Sequence, residues 1–448
     1  MTHDYTYTNP YCNPKRLMQE LNAYVMGQDA GTRTVATAVA QHLMNISYPS
    51  DAITTDNVLI VGPTGCGKTE TVRVLQRLEK VFRCPVIMVN IMDYSPAKSW
   101  IGRSVTNIFD TVAMRAADIY FEDHDKTLPA ELMAEEITEI ANRAIIVIDE
   151  FDKIAMRHNA DGTGENRSFH YDYQSNLLKI IEGNSYELSD FTLDNSEPVV
   201  DPVTGELSVN TKKTELTDIT LDSSNMLFIM MGAFDGIRDI TVNRLLHEQL
   251  TNGQKTRLTG DYYQDTYCGF MAQPRSKCKP VQTTFTDEQL IPSQEDLIQY
   301  GFMRELVGRI PVRTVYKPLT EEALINIMLH AKTSAYREYQ QRFRRINQFL
   351  RCDHDALRRI AHTAVERGTG ARGLRNVFSE LLTATWYELA GDNLVFHVLL
   401  RGRDMAAGRP PLLHDKTESV RRKNAREYER WAHIVLPQRA QPNSKKNA

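Results

Sequence analysis

The pattern of apolar and polar positions divides the chain into regions of different character. From Asn57 to about Val312, short apolar runs that predict buried strands alternate with helical repeats. The clearest runs are Asn57 to Val61, which a helix over Glu70 to Phe82 follows, and Ala144 to Ile148. This alternation predicts an α/β domain with a doubly wound parallel sheet.

The regions on either side of this domain are predicted to be mainly helical. Pro14 to Ile46 predicts helices with a break at Gly27 and Gln28. A smaller, mostly helical domain is expected after Pro318. Its predicted elements are a helix start at Thr320, helices over Leu324 to Phe349, Asp355 to Arg367 and Gly373 to Leu389, and a strand at Leu394 to Leu400.

Two polar stretches interrupt the alternation in the first domain. Arg157 to His170 is polar and contains glycine, and Ser189 to Ser224 is rich in Asp, Thr, Ser and Pro. Such composition favours turns and irregular backbone. Both stretches are therefore predicted to be long surface loops, which in compact domains are usually functional or disordered.

Composition excludes several classes of protein. Of the 448 residues, 42% are apolar and 25% charged, as in ordinary globular proteins. No apolar run approaches the ~20 residues of a membrane span, and Met1 to Pro10 lacks a signal-peptide core, so we expect a cytoplasmic protein without a membrane partner. The six cysteines are scattered without a C-x-x-C pair, which suggests neither a zinc site nor disulfides.

The charge distribution gives little support for nucleic-acid binding. The net charge of −4 provides no bulk attraction to nucleic acid, so binding would need a local basic patch. Residues 415–448 carry nine Lys or Arg against four Asp or Glu. We interpret them as a flexible basic tail, with nucleic-acid contact as the alternative.

A phosphate-binding loop lies between the first predicted strand and its helix. It matches the pattern G-x-x-x-x-G-K-[ST] with the residues Gly62, Pro63, Thr64, Gly65, Cys66, Gly67, Lys68 and Thr69. Glu70 follows the loop and is included among the predicted nucleotide-binding residues. Glycines let the backbone approach phosphates, Lys68 reaches the terminal phosphates, and the hydroxyl of Thr69 can bind Mg²⁺. ATP and Mg²⁺ are the predicted cofactors.

Two carboxylates end the aliphatic strand Ala144 to Ile148. Asp149 and Glu150 follow it directly, at the edge where a parallel α/β sheet places its active site. Asp149 is predicted to hold Mg²⁺, and Glu150 to orient and deprotonate the attacking water. Alone, this pair is equally compatible with a solvated acidic turn. Together with the phosphate loop, it favours hydrolysis of a nucleoside triphosphate.

Several further segments resemble one known family. In chain order they are Tyr24-Val25-Met26-Gly27-Gln28, the phosphate loop, IDEFDKIA from Ile148, LLKIIEG from Leu177, GAF from Gly232, EDLIQYGF from Glu295, ELVGRIP from Glu305 and GARGLR from Gly370. From about Pro14 to about Leu413, the chain resembles the ClpX-type AAA+ unfoldases of the Clp/Hsp100 family. GARGLR with EDLIQYGF favours this type over its relative HslU.

The resemblance implies roles for residues outside the phosphate loop. Val25 and Met26 correspond to a segment that packs against adenine. Arg309 falls at the arginine-finger position, directed at the nucleotide of a neighbouring subunit, and Arg372 at the sensor-2 position. Two surface arginines in salt bridges are the alternative. A finger acting across a subunit boundary requires a ring, so the implied assembly is a homohexamer.

The resemblance also implies contacts with polypeptides. Ser99 precedes Trp100, Ile101 and Gly102, which match the pore loop that grips protein substrates, although Trp100 replaces a tyrosine. Cys268, Gly269 and Phe270 match the loop that docks such unfoldases on the ClpP peptidase, with a thiol in place of an aliphatic side chain. A ClpP-like peptidase is therefore a candidate partner with a weakened contact.

Three other family features have no clear match. Only Cys12 precedes Met26, so we expect no counterpart of the family's four-cysteine zinc domain. The second pore loop is expected within Ser189 to Ser224, without its basic run. Near Met230, Met231 and Gly232 no polar sensor-1 side chain is found.

The sequence therefore predicts an ATP-dependent unfoldase with the AAA+ P-loop fold, threading polypeptide through a hexameric pore. Its predicted parts are an N-terminal segment 1–13, a large AAA+ domain 14–313, a small AAA+ domain 319–414 and the tail 415–448. A stand-alone remodeller of protein complexes, a nucleic-acid motor and a degenerate ATPase scaffold are the alternatives. The intact Lys68, Asp149 and Glu150 count against the scaffold.

Overall fold

The structure is a computed structural model, and not every residue is described in it. The described residues are 9–48, 55–95, 103–104, 107–123, 130–156, 165–188, 191–194, 197–200, 207–210, 213–216, 219–251, 285–390 and 395–415. They form two compact units. The first unit comprises the described residues of Met1–Leu17, Arg33–Pro63 and Val72–Val315, and the second those of Met18–Thr32, Thr64–Thr71 and Tyr316–Ala448.

Helices and strands alternate through the first unit, and helices dominate the second. The helices are α1 (Pro14–Asn22), α2 (Asp29–Ser47), α3 (Lys68–Phe82), α4 (Ile108–Asp123), α5 (Ala130–Ala141), α6 (Glu165–Ile181), α7 (Ile237–Thr251), α8 (Gln294–Tyr300), α9 (Arg304–Gly308), α10 (Glu321–His330), α11 (Ala335–Arg345), α12 (His354–Glu366), α13 (Gly370–Leu389) and α14 (Gly402–Ala406). The strands are β1 (Val58–Val61), β2 (Val86–Asn90), β3 (Tyr94–Ser95), β4 (Arg103–Ser104), β5 (Ile145–Asp149), β6 (Ser185–Leu188), β7 (Phe191–Asp194), β8 (Glu197–Val200), β9 (Leu207–Asn210), β10 (Lys213–Leu216), β11 (Ile219–Asp222), β12 (Leu227–Gly232), β13 (Val312–Val315), β14 (Phe349–Cys352), β15 (Val395–Leu400) and β16 (Leu412–Asp415).

A five-stranded sheet forms the centre of the first unit. Its order is β13-β1-β12-β5-β2, and every neighbouring pair is parallel. The central strands are nearly continuous aliphatic runs because helices cover both faces of such a sheet. All of β1 and β12 is buried, and β5 is buried up to Asp149. The predicted α/β fold is confirmed, and the carboxyl ends of these strands meet at one edge.

The second unit contains a helical core and a small sheet. Buried side chains of α10 to α13 pack together, including Leu324, Phe343, Ile360 and Phe378. The sheet has the order β14-β15-β16, parallel in the first pair and antiparallel in the second. No helix in the described part of the chain has the length and apolar character needed to cross a membrane.

The local predictions near the phosphate loop and in the second unit are mostly confirmed. β1 and α3 match the predicted strand and helix, α1 and α2 flank the predicted break at Gly27, and β15 matches the predicted strand. Thr320 is the N-cap of α10, and its hydroxyl accepts from the N–H of Ala323. β14, β16 and α14 were not predicted.

The predicted helix over Leu324 to Phe349 is wrong. α10 ends at His330, α11 begins at Ala335, and Phe349 lies in β14. Ser334 caps α11, its hydroxyl accepting from the N–H of Arg337, and also donates to the carbonyl of Met328. The apolar repeat continued across this break because both helices bury one face in the same core.

The two predicted loops are also wrong in part. α6 begins at Glu165, so the last residues of the first predicted loop are helical, while 157–164 lie outside the described residues. The second predicted loop, Ser189 to Ser224, contains strands β7 to β11. β6 to β11 pair antiparallel in a single register, from Ser185 opposite Asp222 to Val200 opposite Leu207. Because these pairings join residues far apart in sequence, the polar composition concealed them.

Candidate functional site

The phosphate-loop segment has the backbone conformation that an anion site requires. β1 ends at Val61 and α3 begins at Lys68. Gly65 and Gly67 have φ values of 75° and 109°, in the left-handed region that favours glycine. Turns of this kind direct successive N–H groups to one side, and the N-terminus of α3 adds positive partial charge. The segment can therefore bind phosphate through its main chain.

Residues distant in sequence hold this loop in place within the second unit. The N–H of Ala371 donates to the carbonyl of Gly65 at 3.0 Å. A Cβ atom on Gly65 would lie 2.2 Å from the carbonyl oxygen of Thr369, so no side chain fits there. A Cβ atom on Gly67 would lie 3.1 Å from a methyl group of Val25. The loop is thus packed between the start of α13 and the segment before α2.

The charged and reactive side chains of the loop lie in different surroundings. Lys68 is buried, with 9% of its surface exposed, and its Nζ lies 4.0 Å from Sγ of Cys66. Burial raises the pKa of the Cys66 thiol, and the charge of Lys68 opposes this only in part. The thiol therefore stays protonated at neutral pH and is a weak nucleophile. Thr69 is half-buried, and Glu70 accepts from the hydroxyl of Thr333 at 2.9 Å.

The residues predicted to contact the base and the sensor-2 arginine also belong to the second unit. Val25 is buried and Met26 half-buried, on the segment that touches Gly67. Arg372 is exposed in the first turn of α13, two residues after Gly370. A Cβ atom on Gly370 would lie 2.7 Å from the carbonyl oxygen of Gly65. The structure thus brings the predicted base, phosphate and sensor-2 segments together.

The carboxylate pair lies at the carboxyl end of β5 in the first unit. Oδ1 of Asp149 accepts from the N–H of Glu150 at 2.8 Å. Glu150 has a left-handed φ of 57°, and its side chain is exposed. Phe151 is buried directly behind it and stacks on Phe302, with 4.9 Å between ring centroids. This anchor holds the strained turn in which Glu150 points outward.

A third carboxylate, Asp152, was not predicted to contribute to the site. Its side chain is buried, and Oδ1 accepts from the N–H of Ala233 at 3.2 Å. A Cβ atom on Gly232 would lie 2.4 Å from the same oxygen, so Gly232 leaves room for the carboxylate. Asp152 therefore places a carboxylate beside the end of β12, where the sequence offers no polar sensor-1 side chain. Its only sequence signal is the spacing in IDEFDKIA.

Arg309 follows α9 and is exposed. Its Nη2 donates to Oε1 of Glu182 at 2.8 Å, while its carbonyl oxygen accepts from Nδ2 of Asn57 at 2.9 Å. Oδ1 of Asn57 accepts from the N–H of Phe228, which ties the arginine's main chain to the central sheet. Within the described residues the guanidinium pairs with Glu182 at the surface, and such an exposed ion pair contributes little stability and is easily exchanged for another partner.

The remaining predicted site residues lie outside the described residues. They are Trp100, Ile101, Gly102, Cys268, Gly269 and Phe270. The strands β3 and β4 flank the first three and pair with each other, Tyr94 with Arg103 and Ser95 with Ser104. The basic tail is likewise outside the description from 416 onward.

The donor groups available to Mg²⁺ are a hydroxyl and a carboxylate. Within the described residues, no three or more His, Cys, Asp or Glu side chains are grouped so as to hold a metal ion. Proteins usually hold Mg²⁺ through one or two side-chain oxygens together with water and substrate phosphates. Thr69, in the first turn of α3, carries a hydroxyl of this kind, and Asp149, at the end of β5 in the first unit, carries a carboxylate of this kind.

Comparisons with known proteins identify the family of this chain. Residues 54–313 match the family model described as AAA domain (Cdc48 subfamily). The chain is 28% identical over 417 residues to the ATP-dependent Clp protease ATP-binding subunit ClpX of Treponema denticola, covering 90% of this chain and 85% of that protein. It is 30% identical over 398 residues to the protein of the same name from Borrelia duttonii, covering 86% of this chain and 77% of the relative.

A eukaryotic relative is also similar. The ATP-dependent clpX-like chaperone, mitochondrial, of Saccharomyces cerevisiae is 29% identical over 355 residues, which cover 76% of this chain and 61% of the yeast protein. The family match spans more than half of the chain, and the similarity to ClpX proteins extends beyond it on the C-terminal side. This chain therefore belongs to the ClpX-type AAA+ unfoldase family and is an ATP-hydrolysing AAA+ ATPase.

Proposed function

We propose that this ATPase works as a homohexameric ring that unfolds or remodels proteins by pulling polypeptide through its pore. The observation that carries the proposal is the glycine-shaped phosphate loop, with α13 and the Val25 segment packed against it. A loop held by these segments can pass a change in bound nucleotide to them, which a motor requires. The membership of the chain in a family of unfoldases supports the same reading.

We assign the hydrolytic steps to particular residues. The main-chain N–H groups around Gly65 and Gly67 bind phosphate, and Lys68 adds a positive charge. Glu150 takes a proton from the attacking water. Thr69 and Asp149 would supply the side-chain oxygens for Mg²⁺, which would provide positive charge to the phosphate oxygens. Arg372 contacts the nucleotide of its own subunit.

Arg309 is proposed to act on the nucleotide of a neighbouring subunit. Its exposed guanidinium has Glu182 as its ion-pair partner among the described residues, and this surface contact can be exchanged when subunits assemble. A planar guanidinium suits the charge that spreads over phosphoryl oxygens in the transition state. The ring follows from this role, because a finger acting in trans needs an adjacent subunit.

Protein substrate is proposed to be gripped by Trp100, Ile101 and Gly102. A large flat side chain binds many polypeptide sequences through apolar contact, and glycine permits the loop to move. We further propose a cytoplasmic location and the domain limits 14–313 and 319–414.

The test is which polymer stimulates ATP turnover. We expect an unfolded protein to raise the rate of ATP hydrolysis, and single-stranded or duplex DNA to leave it unchanged. The Trp100→Ala variant should keep its basal rate and lose the stimulation by protein. Stimulation by DNA alone would replace the unfoldase with a nucleic-acid motor.

Delivery of substrate to a ClpP-like peptidase is the more specific version of this function. It is favoured by Gly269 and Phe270, which retain the docking pattern, while Cys268 offers less apolar area than an aliphatic residue. We expect the ATP-loaded hexamer to co-sediment with a ClpP tetradecamer, Phe270→Ala to abolish this and Cys268→Ile to strengthen it. Equal sedimentation with and without Phe270, or none, would favour a remodeller that works alone.

A further inference from the structure

Gln28 is a buried side chain that contacts the phosphate loop. It has 3% of its surface exposed and directly precedes α2. Its Nε2 donates to the carbonyl oxygen of Cys66 at 3.2 Å and to that of Lys317 at 2.8 Å. Its Oε1 accepts from the N–H of Lys317 at 2.8 Å. Gly27, with a φ of 76°, makes the turn that precedes this inward-pointing side chain.

The three hydrogen bonds require an amide. Two carbonyl oxygens need a donor, and one main-chain N–H needs an acceptor, so the orientation of the Gln28 amide is fixed by its partners. Glutamate has the same shape, but its second oxygen would face the carbonyls of Cys66 and Lys317 as an acceptor. The position therefore distinguishes Gln from Glu by chemistry and not by size.

The bond to Cys66 controls the direction of a phosphate-binding group. In a trans peptide the C=O and the following N–H point in opposite directions, so holding the carbonyl of Cys66 also directs the N–H of Gly67. Gly67 supplies the N–H of this peptide and Gly65 precedes Cys66, and both glycines adopt conformations that glycine enters and leaves easily. Without a partner for the carbonyl, the peptide has the freedom to rotate and turn the N–H away from a bound phosphate.

Lys317, the other residue that Gln28 contacts, follows a residue that contacts α3. Tyr316, next to Lys317, is fully buried, and its hydroxyl is 3.0 Å from that of Thr71 in the first turn of α3. A Cβ atom on Gly31 would lie 2.3 Å from the Tyr316 ring, so the start of α2 is shaped around it. Adjacent residues of one chain segment thus hold the phosphate loop and the helix that follows it.

We propose that Gln28 is a positioning residue for nucleotide binding, which sets the Cys66–Gly67 peptide and links it to the backbone at Lys317. The proposal rests on the proposed binding of nucleotide by the phosphate loop. A group that orients a phosphate donor equally in the bound and transition states changes KM and leaves kcat unaltered. Any movement of the Lys317 segment would then alter nucleotide affinity.

The experiment compares two substitutions of buried glutamine with one of exposed glutamine. ADP binding is measured by titration calorimetry and ATP turnover by steady-state kinetics, for the full chain and for Gln28→Glu, Gln174→Glu and Gln41→Glu. Gln174 is fully buried in the first unit, where Nε2 donates to the carbonyls of Ile154 and Gly301 and Oε1 accepts from the N–H of Met303. Gln41 is exposed on α2.

Gln28→Glu should weaken ADP binding and raise KM for ATP about tenfold to a hundredfold, with kcat within about twofold of the original. Gln174→Glu should lower stability without changing ADP affinity, and Gln41→Glu should change neither. If Gln28→Glu does not fold, Gln28→Met, which only removes the hydrogen bonds, should still raise KM about fivefold or more.

ADP affinity of Gln28→Glu equal to that of the unsubstituted chain would overturn the role of Gln28. A weakening of the same size in Gln174→Glu would also overturn it, because the effect would then belong to any buried carboxylate. Failure of the unsubstituted chain to bind ADP would instead overturn the proposed nucleotide site.

Discussion

The phosphate loop and the segment that follows the carboxylate turn after β5 each contact a buried glutamine with the same bonding pattern. Gln28 and Gln174 both donate to two main-chain carbonyls and accept one main-chain N–H. The groups that they support differ. The loop presents main-chain N–H groups and a buried Lys68, whereas the turn presents the exposed side chain of Glu150.

This difference separates binding from turnover. Main-chain donors bind phosphate in every state of the reaction, so changes around the loop should appear mainly in KM. A carboxylate that accepts a proton acts only as the transition state forms, so changes at the turn should appear mainly in kcat. Substitutions that violate this division would show that the two regions do not have separate tasks.

The largest effect is expected at Arg309, which we propose to group with the residues that act in turnover. Arg309→Ala should lower kcat by about 10³ to 10⁵, the contribution of an arginine finger. Mixing Arg309→Ala subunits with Lys68→Ala subunits should restore activity that neither has alone, since only mixed interfaces combine an intact finger with an intact loop.

Arg304→Ala serves as the control for Arg309, because Arg304 is exposed at the start of the same helix α9. It should retain normal turnover. Mixed rings that assemble and remain inactive would argue against action across a subunit boundary.

Glu150→Gln should give the next largest effect. We expect kcat to fall by about 10² to 10⁴ while nucleotide affinity stays unchanged, since the amide cannot accept the proton but keeps the shape. Turnover is followed by phosphate release and affinity by titration with ATP. Glu135→Gln, on the exposed face of α5, should behave like the unsubstituted protein. Near-normal turnover would mean that the base is a different residue.

Acid pH should weaken each unit in part through a buried histidine. Burial lowers the pKa of His42 in the first unit from 6.5 to about 4, although its bond to the carbonyl of Arg143 favours the proton. Burial, with Arg351 and His414, lowers the pKa of His397 in the second unit to about 4. Below pH 6.5 these histidines bind protons in the unfolded chain but stay neutral in the folded one. The free energy of unfolding therefore falls as pH decreases toward 4.

For His42 the loss at pH 4 is about 3 kcal/mol. His42→Gln should reduce the acid sensitivity of the first unit, where His170 and Asp296 also have lowered pKa values, and leave that of the second unit unchanged. Hydrogen exchange measured separately on the amides of β5 and β15 checks the assignment. Equal acid sensitivity of β5 in the variant and the original would remove His42 from the explanation.

Gly232→Ala should produce the smallest of these effects. The new methyl group would meet the carboxylate of Asp152 at 2.4 Å, so we expect a loss of about 1 to 3 kcal/mol in the free energy of unfolding. Urea unfolding measures it. Gly308→Ala is the matched control, because within the described residues the nearest atom to its Cβ would be Nε2 of Gln294, at 3.9 Å. Equal stability of both variants would mean that Asp152 does not fix the turn.

Features encoded by neighbouring residues were predictable from the sequence, and features that depend on distant residues were not. The sheet strands and the phosphate loop are contiguous patterns whose chemistry is fixed by neighbouring residues. Asp152 and Gln174 act through partners far away in the chain, so composition and spacing alone did not identify their roles. The paired strands from Ser185 to Asp222 escaped prediction for the same reason, since their stability comes from cross-strand pairing and not from local propensity.

The central claim, that ATP hydrolysis here drives the unfolding of proteins, is tested most directly with a folded fluorescent protein carrying an unstructured peptide extension. With ATP, the chain should extinguish the native fluorescence of this substrate. The fluorescence should persist with ADP and with the Glu150→Gln variant. Vigorous ATP hydrolysis with undiminished fluorescence, whatever extension is attached, would contradict the account.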